Sequence, residues 1–168
     1  MAIDNIKQES WNTYYNTYFQ ELASQSLASL WEKVDIGIML IVALTASGSA
    51  VAGWTLWSLA GWKVLWGVFA GIASVVSITH TTLRVPDRVK QQEELRRRFS
   101  EVRVEFENFL ADLRIGMKED EARKRFKTLQ GKYSECMKVA HLDILFTVSF
   151  RNRVTNILTK ELQGRGMI

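Results

Sequence analysis

The sequence predicts an all-α membrane protein. Its expected form is a two-helix transmembrane hairpin followed by a cytoplasmic helical, coiled-coil-like hairpin, assembled as a homo-oligomer. Three observations lead there. Residues 36–62 carry no charged side chain and neither do residues 64–83, with Lys63 alone between the runs. Basic residues collect after the second run: residues 84–168 hold 19 Lys and Arg against 13 Asp and Glu, whereas residues 1–35 hold 2 against 5. Beyond the charge-free runs, two stripes of apolar residues repeat at alternating spacings of four and three, the seam of packed helices.

The elements follow in chain order. Residues 1–33 read as a juxtamembrane amphipathic helix, because Trp11, Tyr14, Tyr18 and Leu22, with Phe19, Leu27 and Leu30 close by, recur at helical spacing. Their rings suit either the headgroup level of a bilayer or packing on the later helices. About twenty helical residues rise about 30 Å, the thickness of a hydrocarbon core. A backbone in lipid must satisfy its own hydrogen bonds, so each charge-free run is expected to be a helix. The first span covers residues 34–57 and the second 62–83, within a hairpin domain of residues 34–83. Ser58 to Gly61 form the turn, and Trp54, Trp57, Trp62 and Trp66 an aromatic belt around it. The basic excess after residue 83 places that tail, residues 84–168, in the cytoplasm, and two spans return the N-terminus to the same side.

In the tail, Pro86 suits a first helical turn, where its missing N–H costs little. Leu95, Phe99, Val102, Phe106, Phe109 and Leu113 make the first seam, and Gly116 is a candidate C-terminal cap. Ala122, Phe126, Leu129, Tyr133, Cys136 and Ala140 make the second, so an antiparallel helical hairpin is expected. Residues 142–150 are mostly apolar but too few to span a bilayer, and are expected to bury against the hairpin or a neighbouring subunit. Residues 151–162 resume an amphipathic pattern through Val154, Ile157, Leu158 and Leu162.

Composition excludes several classes of function. One cysteine, Cys136, rules out an internal disulfide, and the first ten residues lack the pattern of a cleaved leader. No phosphate-binding glycine loop, nucleophile elbow, dinucleotide fingerprint or His–Glu metal motif occurs, so neither an enzyme nor a cofactor nor a metal is expected. His80 is an ionisable residue near the end of the second span, a functional candidate there unless it simply reaches the headgroup layer.

The spans carry candidate sites. Gly67 and Gly71, four apart, offer a small-residue face for close helix packing, and Gly48 with Ala52 a similar one. Ser74, Ser77, Thr81 and Arg84 share a face of the second span, and Thr45 and Ser49 a shorter face of the first. Such a hydroxyl stripe could line a narrow aqueous path in an oligomer, or bond back to its own helix carbonyls. Two dense basic clusters, Arg96, Arg97 and Arg98, and Arg123, Lys124, Arg125 and Lys127, lie off the seams. Rings of them in an oligomer would attract phosphates, while Glu93, Glu94, Glu101 and Glu105 allow the alternative of a solvated, charge-balanced face.

Taken together, a segment ending at Leu30-Trp31-Glu32, a tight apolar hairpin with Gly53-Trp54-Thr55-Leu56-Trp57 and Gly61-Trp62-Lys63 around its turn, then Arg84 and a basic helical hairpin, resembles the SLATT family over roughly residues 20–140. The resemblance implies a two-span effector of bacterial nucleotide-signalling antiviral systems, in the inner membrane with both termini cytoplasmic. It implies a homo-oligomeric pore, a tetramer being the preferred size. A nucleotide or single-stranded oligonucleotide from a partner nucleotidyltransferase would gate it, killing or arresting the infected cell. The competing expectation is a non-conducting membrane adaptor whose coiled coil recruits a cytosolic partner. A phage-type holin is disfavoured by so long a structured tail.

Overall fold

The computed structural model describes residues 3–55, 67–68, 71–72, 74–75, 78, 84–140 and 143–167, with the side chains of residues 44–55 excepted. All described elements are helical, in agreement with the all-α expectation: α1 (Ile3–Thr55), α2 (Val85–Ile115), α3 (Glu119–Val139) and α4 (Val148–Gly164). The chain divides into two compact units, one formed by residues 1–28 and 91–168 and the other by residues 29–90.

The membrane-spanning part of the expected fold is corrected here. Among the described residues no helix is long and apolar enough to cross a membrane. The charge-free stretch described with its side chains, residues 36–43, rises only about 12 Å, against about 30 Å for a hydrocarbon core. Residues 44–57 of the first expected span, and all of the second but residues 67–68, 71–72, 74–75 and 78, lie outside that description. The multi-pass inner-membrane localisation, with both termini cytoplasmic, rested on those spans and is withdrawn with them.

The first unit is a helical bundle organised by α2. Its seam residues Leu95, Phe99, Val102, Phe106, Phe109 and Leu113 are all buried. Alternating spacings of four and three keep them on one face of a 3.6-residue helix, so a single stripe reaches the core along the whole element. From α3, Ala122, Phe126, Leu129 and Cys136 enter the same core, with Tyr133 half-buried against it. Phe126 stacks on Phe109 (ring centroids 6.4 Å apart, interplanar angle 16°) and meets Phe106 edge-on at 6.5 Å. The α2–α3 hairpin is antiparallel: Asp112 bonds Arg125, and seven residues back on α2 Glu105 bonds Lys132, seven residues forward on α3.

Helix ends follow the local chemistry. α2 stops at Ile115 because Gly116 takes a φ of +108°, a left-handed conformation that a side chain would oppose. Three carboxylates, Glu119, Asp120 and Glu121, occupy the first turn of α3, where the exposed N–H groups favour negative charge. α4 begins where the Thr147 hydroxyl accepts a hydrogen bond from the Phe150 N–H at 3.3 Å. Phe150, Val154, Leu158 and Leu162 then form its buried face.

The N-terminal rings resolve in favour of packing. Tyr14 and Tyr18 of α1 are buried in the bundle core with Ile6, and Trp11, Phe19 and Leu22 pack around them. The segment before α4 is a turn rather than a uniformly buried run: Asp143 is buried, whereas Ile144 and Val148 are exposed. Phe146 nevertheless reaches inward, with its ring edge-on to Phe19 at 6.4 Å and 5.5 Å from Phe150.

In the second unit, α1 continues without a break into the charge-free run. Trp31 and Val85 are buried, while Val34, Ile36, Met39, Leu40, Ile41 and Val42 are exposed. Arg84 opens α2 in a left-handed conformation (φ 47°), and its carbonyl accepts from the N–H groups of Asp87 and Arg88 at 2.9 and 3.1 Å. That conformation costs a non-glycine residue about 1–2 kcal/mol.

Replacing Phe106 with alanine should lower the unfolding free energy by about 3–5 kcal/mol, because its ring is wholly enclosed. Ile115→Ala, at an exposed site, should change it by less than about 0.5 kcal/mol. Urea titration followed by helical circular dichroism checks the contrast.

Candidate functional site

Among the described residues, a constellation of charged groups and tyrosines gathers where α1, α2 and α4 meet around Tyr18. Arg103 of α2 donates from Nε to Glu21 Oε2 of α1 at 2.5 Å and from Nη1 to Glu107 Oε2 at 3.0 Å. The side chains of Arg103 and Glu21 are each only 14% exposed, so this ion pair is shielded from water. The Arg103 guanidinium lies 4.8 Å from the Tyr18 ring centroid, and that of Arg165 lies 5.6 Å from it. Cations placed this way are drawn to the negative ring face. Glu107 links the two, with Oε1 3.6 Å from Arg165 Nη1. The Tyr18 hydroxyl donates to Glu161 Oε2 of α4, and the neighbouring Tyr14 hydroxyl meets the Met167 sulfur at 3.8 Å.

Two guanidinium groups thus meet three carboxylates on a tyrosine ring. Burial pushes the Tyr18 phenol up to about 12, aided by its hydrogen bond to Glu161 and opposed by Arg165 and Arg103. Burial also raises Tyr14, with Glu107 adding to the effect. Burial works against the charge on Arg103, but the hydrogen bond and charge of Glu21, with Tyr14 and Glu107, together outweigh it and hold the guanidinium above its ordinary value. Phenols raised in this way stay protonated at neutral pH, so neither is poised as a base or nucleophile. The cluster acts instead as a clamp that fixes the register of α1 against α2 and α4.

A second set of charges lines an open groove of about 350 Å³ on the α2–α3 hairpin. It contains Arg97 and Arg98 of the first expected basic cluster, together with Glu94, Glu101, Glu105 and Glu135. Arg97 pairs with Glu94 at 3.1 Å and Glu101 at 3.5 Å, and Arg98 with Glu94 at 2.9 Å. Those bonds hold the Glu94 carboxyl below its usual range. In the second cluster Arg123 pairs with Glu119 at 3.1 Å and Arg125 with Asp112 at 2.5 Å. Arg96, Lys124 and Lys127 are exposed. Because the hairpin is antiparallel, the two clusters sit toward opposite ends of it. Cys136 lies under the groove, its thiol pushed up by burial first and by the nearby Glu135 and Glu101 carboxylates, with Arg98 opposing.

The remaining sequence candidates fall in the second unit. Gly67 and Gly71 are exposed and helical, and an added Cβ at either would meet nothing within 4 Å. Ser74 is exposed on helical backbone and Arg84 is exposed in a turn. Thr45, Gly48 and Ser49 belong to the backbone of α1, with side chains outside the described set, and Ser77, His80 and Thr81 lie outside the described residues altogether. Among the described residues no group of three or more His, Cys, Asp or Glu is placed to hold a metal ion.

Sequence reasoning passed over Arg103, Glu21, Glu107, Glu161 and Arg165. The spacing of Arg103 and Glu107, four apart beside the first seam, was the one local signal. No family model matches this chain, and no curated protein or solved structure does either. The likeness to SLATT proteins therefore rests on the sequence features given above.

Arg103→Ala should destabilise the bundle by about 1–3 kcal/mol, since it leaves part-buried Glu21 without its partner, whereas Arg97→Ala, at an exposed pair, should have little effect. Thermal unfolding of the two variants separates them. Tyr18 titrates higher folded than its unfolded value near 10, so its stabilising contribution is complete below about pH 10 and is lost as pH rises toward 12. Unfolding free energy measured across that window should fall, and fall less steeply in Tyr18→Phe.

Proposed function

We propose that this protein is a self-assembling, non-catalytic adaptor. Copies join through the apolar surface of α1 in the second unit, and the helical bundle of each copy is thereby presented to a partner. The observation that carries this reading is the exposed run Ile36, Met39, Leu40, Ile41 and Val42. At 100° per residue these five positions surround most of the helix rather than mark one stripe. A helix apolar on nearly every side is stable only when neighbouring surface covers it. Val68, Ile72, Val75 and Ile78 add further exposed apolar side chains to the same unit.

The bundle, by contrast, has its own core of aromatic and aliphatic residues from four helices. The charge set around Tyr18 is mutually paired, with Arg103 and Glu21 shielded and Glu107 and Arg165 open to solvent, and its phenols stay protonated. A second copy is the occupant favoured for the α1 surface, because like surfaces of this all-round apolar kind are self-complementary without matching polar groups.

Sedimentation equilibrium of the full chain in a mild detergent tests this. The wild type should sediment as a discrete oligomer. Met39→Asp with Leu40→Asp should shift it to monomer while leaving thermal unfolding of the bundle unchanged. A wild type that is monomeric at micromolar concentration, or a variant that assembles like it, overturns the reading.

A further inference from the structure

The outward face of α4 differs in charge from the groove on the α2–α3 hairpin. An open groove of about 520 Å³ runs along it, lined by Ser149, Asn152, Arg153, Asn156, Ile157 and Lys160. These residues recur at three- and four-residue spacings opposite the buried Phe150, Val154, Leu158 and Leu162. No carboxylate lines the groove. The single acid of α4, Glu161, points the other way and accepts from the Tyr18 hydroxyl. Arg153 and Lys160 are exposed, and they stand seven residues apart on this face, over about 10 Å of helix.

We propose that this face binds the phosphodiester backbone of a single-stranded nucleic acid. Three features select that ligand class. Cations unaccompanied by acids attract a polyanion, whereas the groove on the α2–α3 hairpin mixes Arg97, Arg98 and Lys132 with four glutamates and repels one. Ser149, Asn152 and Asn156 add neutral hydrogen-bonding groups of the kind that contact phosphate and sugar oxygens beside Arg and Lys. Ile157 is the one apolar side chain in the lining, so a protein helix docking here would bury little apolar surface.

Fluorescence polarisation with labelled oligothymidylate and oligouridylate tests the site on the full chain. Arg153→Glu with Lys160→Glu is compared with Arg97→Glu and Arg98→Glu, which changes net charge equally at the other groove. The wild type should bind, and its affinity should fall about sevenfold between 50 and 200 mM salt if two phosphates are neutralised. The α4 pair should weaken binding at least tenfold and remove most of that salt effect. The α2 pair should alter affinity less than twofold. All four residues are exposed, and Arg153→Gln with Lys160→Gln serves if charge reversal disturbs unfolding. Equal losses in both pairs, no binding by the wild type, or binding only to phosphatidylserine–phosphatidylcholine vesicles overturns the proposal.

Discussion

The apolar stripe of α2 is the constraint on which the bundle depends. Leu95, Phe99, Val102, Phe106, Phe109 and Leu113 present one continuous buried edge, and each partner helix is placed by what it lays against that edge. Phe126 of α3 settles between Phe106 and Phe109, which sets the hairpin register that Asp112–Arg125 and Glu105–Lys132 then decorate. Tyr14 and Tyr18 bring α1 to the same core, and Leu158 and Leu162 bring α4. With exposed ion pairs contributing little, aromatic burial on this edge supplies most of the cohesion of the bundle.

One polar feature is placed where it matters. Around Tyr18, Arg103 and Arg165 balance Glu21, Glu107 and Glu161 across three helices. A shielded charge is tolerable only with its partner in place, so this cluster penalises any packing of α1 that slides along α2 or α4. Apolar rings alone would leave such sliding inexpensive. The clamp therefore adds register to a core that already supplies cohesion.

How much of this was legible in the sequence depended on whether the signal was local. The two seams were readable because period and burial coincide on a helix, and Gly116 because a left-handed residue ends one. Tyr14 and Tyr18 were visible as a stripe, but not their destination, since amphipathic rings suit a headgroup layer as well as a protein core. The clamp was illegible: Arg103 and Glu21 are far apart in the chain, and nothing local pairs them. Basic clusters drew attention by density, yet Arg97, Arg98, Arg123 and Arg125 each meet an acid. The cations of α4 are fewer and less conspicuous, but its one carboxylate is turned inward, which only the fold reveals. Charge-free length pointed to membrane spans, and the described helices supply no span of that kind.

The central claim is that the exposed apolar surface of α1 joins copies of the chain. Because Cys136 is the only cysteine, Met39→Cys in a Cys136→Ser background carries one spin label per copy. Pulsed electron spin resonance on the assembled full chain then reads the distance between copies at that position. A short, narrow intermolecular distance at residue 39, lengthening when the label is moved to Lys124 on the bundle, is the expected result. No intermolecular distance at residue 39, or a short one at residue 124 alone, would contradict the account.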